Sequence, residues 1–179
     1  MKSIKICGVG SVLLGDDAVG PYMARWITDN YEFGEGVEVE VLGTPGLDLL
    51  AHMTGVDVLI LIDSVDDKAP AGTVTVYDKA DITRQRPAVR LDPHSPCITE
   101  CIFIAELAGD SPQDVYLVGI TGEQTEVGKP LSDSVKRAIP LAAGKVLERV
   151  EQHGGSFRKR EAAVETQVWW EALPAGVTQ

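Results

Sequence analysis

The side chains in this chain best suited to chemistry are a few acids and one histidine. Asp16 and Asp17 stand side by side near the end of a glycine-rich stretch, Gly8-Val9-Gly10-Ser11-Val12-Leu13-Leu14-Gly15-Asp16-Asp17-Ala18-Val19-Gly20. Asp63 follows an almost unbroken apolar run, Asp57 to Ile62, and His94 lies in Asp92-Pro93-His94-Ser95-Pro96 ahead of a helical pattern. Two carboxylates and one imidazole make a divalent-metal site with open coordination positions. Oxygen and nitrogen donors of that kind suit nickel, zinc, manganese or iron better than copper(I). Each residue also has a plainer reading. Asp16 reads best as a helix N-cap. Asp17 can be a second acid favoured by the helix dipole, Asp63 a turn residue at a strand end, and His94 a loop histidine. The candidate site is Asp17, Asp63 and His94, and its case rests on their meeting at one sheet edge.

Other constellations compete less well. Gly8 and Gly10 begin a dinucleotide fingerprint, but its third glycine position holds Leu13, and two carboxylates beside a helix N-terminus would repel a pyrophosphate. Cys97 and Cys101 are one helical turn apart after His94, which makes a His-Cys-Cys cluster a second metal candidate beside the simpler reading of small buried thiols. Cys7 falls inside the first strand and belongs to the core. His52 and His153 read as surface helix residues. There is no Ser-His-Asp order, no His-Glu-x-x-His and no cysteine in a familiar nucleophile setting.

The elements that must position these groups alternate between strand and helix. Ser3 to Val9 is a strand, and Ala18, Val19, Tyr22, Met23, Trp26 and Ile27 repeat at helical spacing up to about Asn30. Glu32 to Gly36 reads as a turn. Val37, Val39 and Val41 alternate with acids in a strand that has one solvated face, and Leu47 to Met53 fits a short helix. Asp57 to Ile62 is a central parallel strand covered on both faces. Thr73 to Tyr77 is a strand, 78–93 a loop, and Ser95-Pro96 the start of a helix ending near Gly109. A strand at Val115 to Ile120, a loop to Pro130 and a helix from Ser132 to Val150, with a kink expected at Pro140, complete the pattern. The expectation is an α/β three-layer sandwich: a mostly parallel, twisted five-stranded sheet with helices on both faces. Strands one and three are usual neighbours in such sheets, which would bring Asp17 and Asp63 together outside their C-terminal ends. Residues 1–152 form the domain and 153–179 a tail, in which Trp169-Trp170 suggests docking.

Composition narrows the function classes. The 179 residues are 44% hydrophobic and 24% charged, as in a globular domain, and the net charge of −11 is opposite to a nucleic-acid footprint. No apolar run reaches membrane-span length, and the N-terminus lacks a signal-peptide pattern. Three scattered cysteines do not make a disulfide framework. A cytoplasmic location with reduced thiols follows as the expectation.

At this point the chain resembles the maturation endopeptidases of nickel–iron hydrogenases over about residues 3–150. Gly8 to Gly20 is similar to the family's Gly-x-Gly-Asn-x-Leu-x-x-Asp-Asp/Glu-x-x-Gly, and Gly43-Thr44-Pro45-Gly46-Leu47-Asp48-Leu49-Leu50 to its Gly-Thr-x-Gly-Leu-x-Leu-Leu. The resemblance places the family's three metal ligands on Asp17, Asp63 and His94. Ser11 replaces the usual Asn, and Gly119-Ile120-Thr121-Gly122-Glu123 replaces Gly-Ile-x-Pro-Glu. The resemblance implies a nickel-dependent endopeptidase that removes the C-terminal extension of a [NiFe] hydrogenase large-subunit precursor. The nickel is supplied by the substrate, zinc or cadmium can substitute in crystals, and the enzyme is expected to be a monomer. Two other readings of the same residues are a phosphorylation receiver with Asp63 as phosphoacceptor and a non-catalytic nickel-binding maturation chaperone.

Overall fold

In chain order the elements are β1 (Ile4–Val9), a 3-10 turn (Gly15–Ala18), α1 (Val19–Asn30), β2 (Tyr31–Phe33), β3 (Val37–Gly43), α2 (Leu49–Met53), β4 (Val58–Val65), β5 (Val74–Asp78), α3 (Lys79–Gln85), α4 (Ile98–Ala108), β6 (Asp114–Thr121), α5 (Asp133–Gln152) and β7 (Phe157–Lys159). The computed structural model describes residues 2–85, 98–161 and 165–170. The main sheet has five strands in the order β3-β1-β4-β6-β5. All its pairings are parallel except that of β5, which runs antiparallel to β6. The expected adjacency of β1 and β4 is present, with Ile4 opposite Val58 and Gly8 opposite Ile62.

The period of two along β4 divides the interior into two cores. Val58, Ile60 and Ile62 join Val19, Met23 and Ile27 of α1 and Val135, Ile139 and Val146 of α5 on one face. Leu59, Leu61 and Val65 join Leu49 and Met53 of α2, Ile82 of α3 and Ile98, Cys101 and Ile102 of α4 on the other. Every residue of β4 is buried, which is why its sequence shows no alternation. Close packing of α1 on the sheet depends on glycine. A Cβ on Gly20 would sit 2.1 Å from the Val9 carbonyl oxygen and 2.3 Å from that of Ile62, so only hydrogen lets the start of α1 reach the ends of β1 and β4.

The structure departs from the sequence reading in several places. β4 continues past Ile62 because Asp63, Ser64 and Val65 stay in register with Gly119, Ile120 and Thr121. Within the stretch read as a loop, α3 forms: Asp78 Oδ1 accepts the Asp81 N–H at 2.8 Å, and Ile82 supplies a buried anchor. β2 overlaps the stretch read as a turn and pairs antiparallel with β7, Tyr31 opposite Lys159. Glu32 cements this pair by binding Arg158 and Arg160. Helix α5 starts where its serine suggests, with Ser132 Oγ accepting the Val135 N–H, and runs through Pro140 to Gln152. Beyond β7, Thr166 and Val168 are buried and Trp170 packs against the α1/α5 core. Among the described residues no helix is long and apolar enough to cross a membrane.

Candidate active site

The C-terminal ends of β1, β4 and β6 form one rim, where ligands bind in open α/β sheets. The loop after β1 turns back through Gly10, whose φ of +131° is open to few side chains. A Cβ there would lie 1.9 Å from the Asp17 carbonyl oxygen and 3.5 Å from Asp63 Oδ1. Gly10 therefore lies between the backbone of Asp17 and the carboxylate of Asp63, where a side chain would meet both. Asp17 is 3% exposed, and its Oδ2 accepts the Ser11 N–H at 2.7 Å. The main chain of Ser11 makes this bond, so it does not depend on the side chain at that position.

Asp63 enters from β4. It is 1% exposed, its Oδ1 accepts the Ser64 N–H at 2.7 Å, and its Oδ2 is buried without a hydrogen-bond partner. Burial, and then the negative charge of Asp17, push its pKa well above the ordinary carboxylate value, and the Ser64 N–H only partly opposes them. An unsatisfied buried carboxylate oxygen is costly to keep. Beside a second acid it is set up to receive a cation or a proton.

Asp16 does something the sequence did not suggest. Its side chain caps neither the 3-10 turn nor α1. It is fully buried, its Oδ2 accepts the N–H groups of Glu123 at 2.8 Å and Gln124 at 3.1 Å, and its Oδ1 accepts that of Ser132 at 2.7 Å. The Asp16 N–H also donates to the Gln124 carbonyl at 2.8 Å. One carboxylate thereby ties the loop after β6 to the loop carrying Asp17. Gly122 makes room for this, since a Cβ there would meet Ser64 Oγ at 2.9 Å and Asp16 Cβ at 3.0 Å. The Gly-Glu pair at 122–123 was the available signal.

His94 and Cys97 lie outside the described residues, so the third predicted ligand and the His-Cys-Cys alternative have no geometry here. Cys101 is buried with Sγ 3.7 Å from the Gly46 carbonyl oxygen. This contact brings the first turns of α4 alongside the loop after β3. Among the described residues no group of three or more His, Cys, Asp or Glu side chains is arranged to hold a metal ion. Cys7 is a buried thiol whose pKa is pushed up to about 12 by burial, as expected of a core residue. His52 is partly exposed and pairs with Glu40 Oε2 at 2.8 Å. His153 is not the surface residue expected. Its side chain is 9% exposed, and its Nε2 lies 3.0 Å from the Tyr116 hydroxyl.

A sequence model of the HycI family, described as hydrogenase maturation protease, matches residues 21–149. The hydrogenase 2 maturation protease of Escherichia coli is 29% identical over 163 residues, covering 89% of this chain and 97% of that protein. A hydrogenase expression/formation protein, HoxM, of Azotobacter vinelandii is 27% identical over 91% of this chain and 79% of its own length. Among solved structures, the hydrogenase maturating endopeptidase HybD from E. coli superposes with a TM-score of 0.81 at 27% identity, covering 89% of this chain and 98% of that one.

Proposed function

The chain belongs to the hydrogenase maturation protease family, and on that footing we propose that it cuts the C-terminal extension from a [NiFe] hydrogenase large-subunit precursor, with Asp17, Asp63 and His94 reading the nickel carried by the substrate. The observation that carries the reading is the pair of buried carboxylates at the sheet rim. Asp17, in the 3-10 turn after β1, and Asp63, in β4, both border Gly10, and Asp63 Oδ2 has no hydrogen-bond partner. A divalent ion arriving with the precursor supplies the missing charge.

Two carboxylates and one imidazole do not complete the coordination of such an ion, which keeps positions for substrate ligands. An ion held by these residues would supply Lewis-acid chemistry, polarising a nearby peptide carbonyl or acidifying a water. Where the ion only holds the peptide in place, a rim carboxylate would take the proton of the attacking water instead. The Ser64 N–H fixes Oδ1 of Asp63 and leaves Oδ2 without a hydrogen-bond partner for the ion to meet. A receiver is disfavoured by the seven-residue loop, Gly10 to Asp16, that separates the end of β1 from Asp17.

The test is incubation with a nickel-loaded large-subunit precursor and mass measurement of the product. The wild-type chain is expected to release one C-terminal peptide. Asp17→Asn, Asp63→Asn and His94→Ala are expected to release none while keeping a wild-type circular dichroism spectrum. Cleavage by all three variants refutes the assignment. A wild-type chain that binds the precursor and leaves it whole supports the chaperone reading instead.

A further inference from the structure

Two loops that leave the rim expose aliphatic side chains where turns ordinarily carry polar ones. Leu13, four residues before Asp17, is 50% exposed, and Val127, in the loop after β6, is 66% exposed. Neither sits on slack chain. The Leu14 N–H donates to the Ser11 carbonyl at 3.2 Å, and the Asp17 N–H donates to the Leu14 carbonyl at 3.0 Å. Leu13 therefore stands on the same closed turn that presents Asp17. Val127 is at the corner of a second turn, closed by the Lys129 N–H on the Glu126 carbonyl at 3.3 Å. Gly128 beside it has a φ of +75°, as the third residue of a type II turn does. The Gly128 N–H then crosses to the Leu13 carbonyl at 3.0 Å, which sets the two turns edge to edge. Asp16, through its bonds to the Glu123 and Gln124 N–H groups, ties the same two loops on their buried side.

We propose that Leu13 and Val127 form the subsite that receives an apolar side chain of the precursor next to the bond that is cut. The inference deepens the reading of the protein as a precursor-processing endopeptidase and rests on it. Position chooses the occupant. A polypeptide cut beside Asp17 and Asp63 has to lie over the loop that carries Asp17, so the residues flanking the cut are the ones that meet Leu13. Single exposed hydrophobes need no explanation; two of them on hydrogen-bonded turns beside the reactive acids are placed to be covered when that polypeptide arrives. The chemistry of the pair then sets the preference. Leucine and valine side chains offer no hydrogen bond and no charge. They favour an apolar side chain and reject a charged one, whose lost hydration they cannot offset. The turns are closed before the precursor binds, so contact with them orders little further chain.

The test is the processing kinetics of the full chain on nickel-loaded precursor. Leu13→Ser and Val127→Ser remove side chains that are at least half exposed, so both variants are expected to keep the wild-type circular dichroism spectrum. The KM of each is expected to rise about tenfold, with kcat within about twofold of wild type. Leu107→Ser is the control. It removes a still more exposed apolar side chain, on α4, and is expected to keep the wild-type KM. A charge swap then asks whether the contact is direct. Precursors are made with each residue flanking the cut changed in turn to Asp. At one position the wild type is expected to lose kcat/KM at least about tenfold, and Leu13→Lys or Val127→Lys to recover most of that loss. Unchanged KM in both serine variants overturns the subsite. So does an equal rise in Leu107→Ser, and so does a precursor series in which neither lysine variant recovers the loss at any position. A wild type that binds the precursor without cutting it, while the two serine variants bind it less tightly, refutes the protease reading and still supports the subsite. A wild type that neither binds nor cuts refutes both.

Discussion

Asp16 and Asp17 are neighbours of the same type, and the structure predicts opposite consequences for their replacement. Consider Asp16→Asn. The carboxylate accepts three backbone N–H groups in a site with no solvent exposure: Glu123 and Gln124 at Oδ2 and Ser132 at Oδ1. An amide has one oxygen. Turned to keep Glu123 and Gln124, it points its NH2 at the Ser132 N–H, so two donors face each other. A hydrogen bond to a charged acceptor contributes about 1.5–3 kcal/mol, and a buried donor left unpaired costs a similar amount. The two remaining bonds also lose charge assistance. The expected loss is about 3 kcal/mol. In a chain of 179 residues that is a fall in melting temperature of about 6–12 °C. Asp16→Ala loses all three bonds and should fall further. The assay is thermal unfolding followed by circular dichroism, with amide exchange at Glu123, Gln124 and Ser132 as the local reporter. Asp16→Asn melting within about 2 °C of wild type, with those amides still protected, refutes the claim that this acid holds the loop.

Asp63→Asn should abolish processing and raise stability at neutral pH by about 0.5–2 kcal/mol, as when a strained functional group is relieved. The pKa of Asp63 is raised by burial and by Asp17, so the folded state binds its proton more tightly, and the wild type loses stability as pH rises above about 4. The gain on substitution must therefore vanish below that pH in urea titrations; a gain independent of pH sinks the argument. Gly10→Ala should cost at least about 3 kcal/mol and stop processing, because its Cβ meets the Asp17 carbonyl oxygen at 1.9 Å; an unchanged urea midpoint contradicts this. His153→Gln probes the other end of the sheet. The His153 pKa is lowered by burial and by Lys2 and Arg149, with Asp114 opposing, while Tyr116 holds its Nε2. The unfolded chain then takes up the proton first, so the wild type loses stability as pH falls below about 6.5. The glutamine variant should show a flatter profile between pH 7 and 5, measured by thermal melts.

Much of the fold was legible because its signals are local. The alternation of β3 and the unbroken apolar run of β4 follow from how many faces of each strand are covered. The helical spacing of Val19, Met23 and Ile27 gave the buried face of α1 directly. What the sequence hid depends on partners distant in the chain. β2 and β7 are three residues each, 31–33 and 157–159, too short for periodicity to mark. They exist because Glu32 finds Arg158 and Arg160 and because Tyr31 and Phe33 pack on Phe157. α3 was hidden for a similar reason. Its one buried hydrophobe among the residues whose side chains are described is Ile82, which leaves little periodic pattern to read.

The acid pair shows where reading from residue type stops. By composition and position either aspartate could cap a helix and either could face a ligand. The difference comes from the loop after β6, more than a hundred residues away. Its three N–H groups converge on Asp16, which leaves that acid about one of four lone-pair sites and no solvent exposure. Asp17 instead lies close enough to Asp63 for its charge to raise that acid's pKa, and the second oxygen of Asp63 is buried without a hydrogen-bond partner. Neighbouring carboxylates can therefore divide the work. One is spent on stability so that the loops flanking the rim stay fixed, and the other is held beside a like charge at a cost to stability. Structural tie and reactive pair have to be separate groups, because a buried carboxylate engaged by three backbone donors cannot turn to meet a ligand without breaking those bonds.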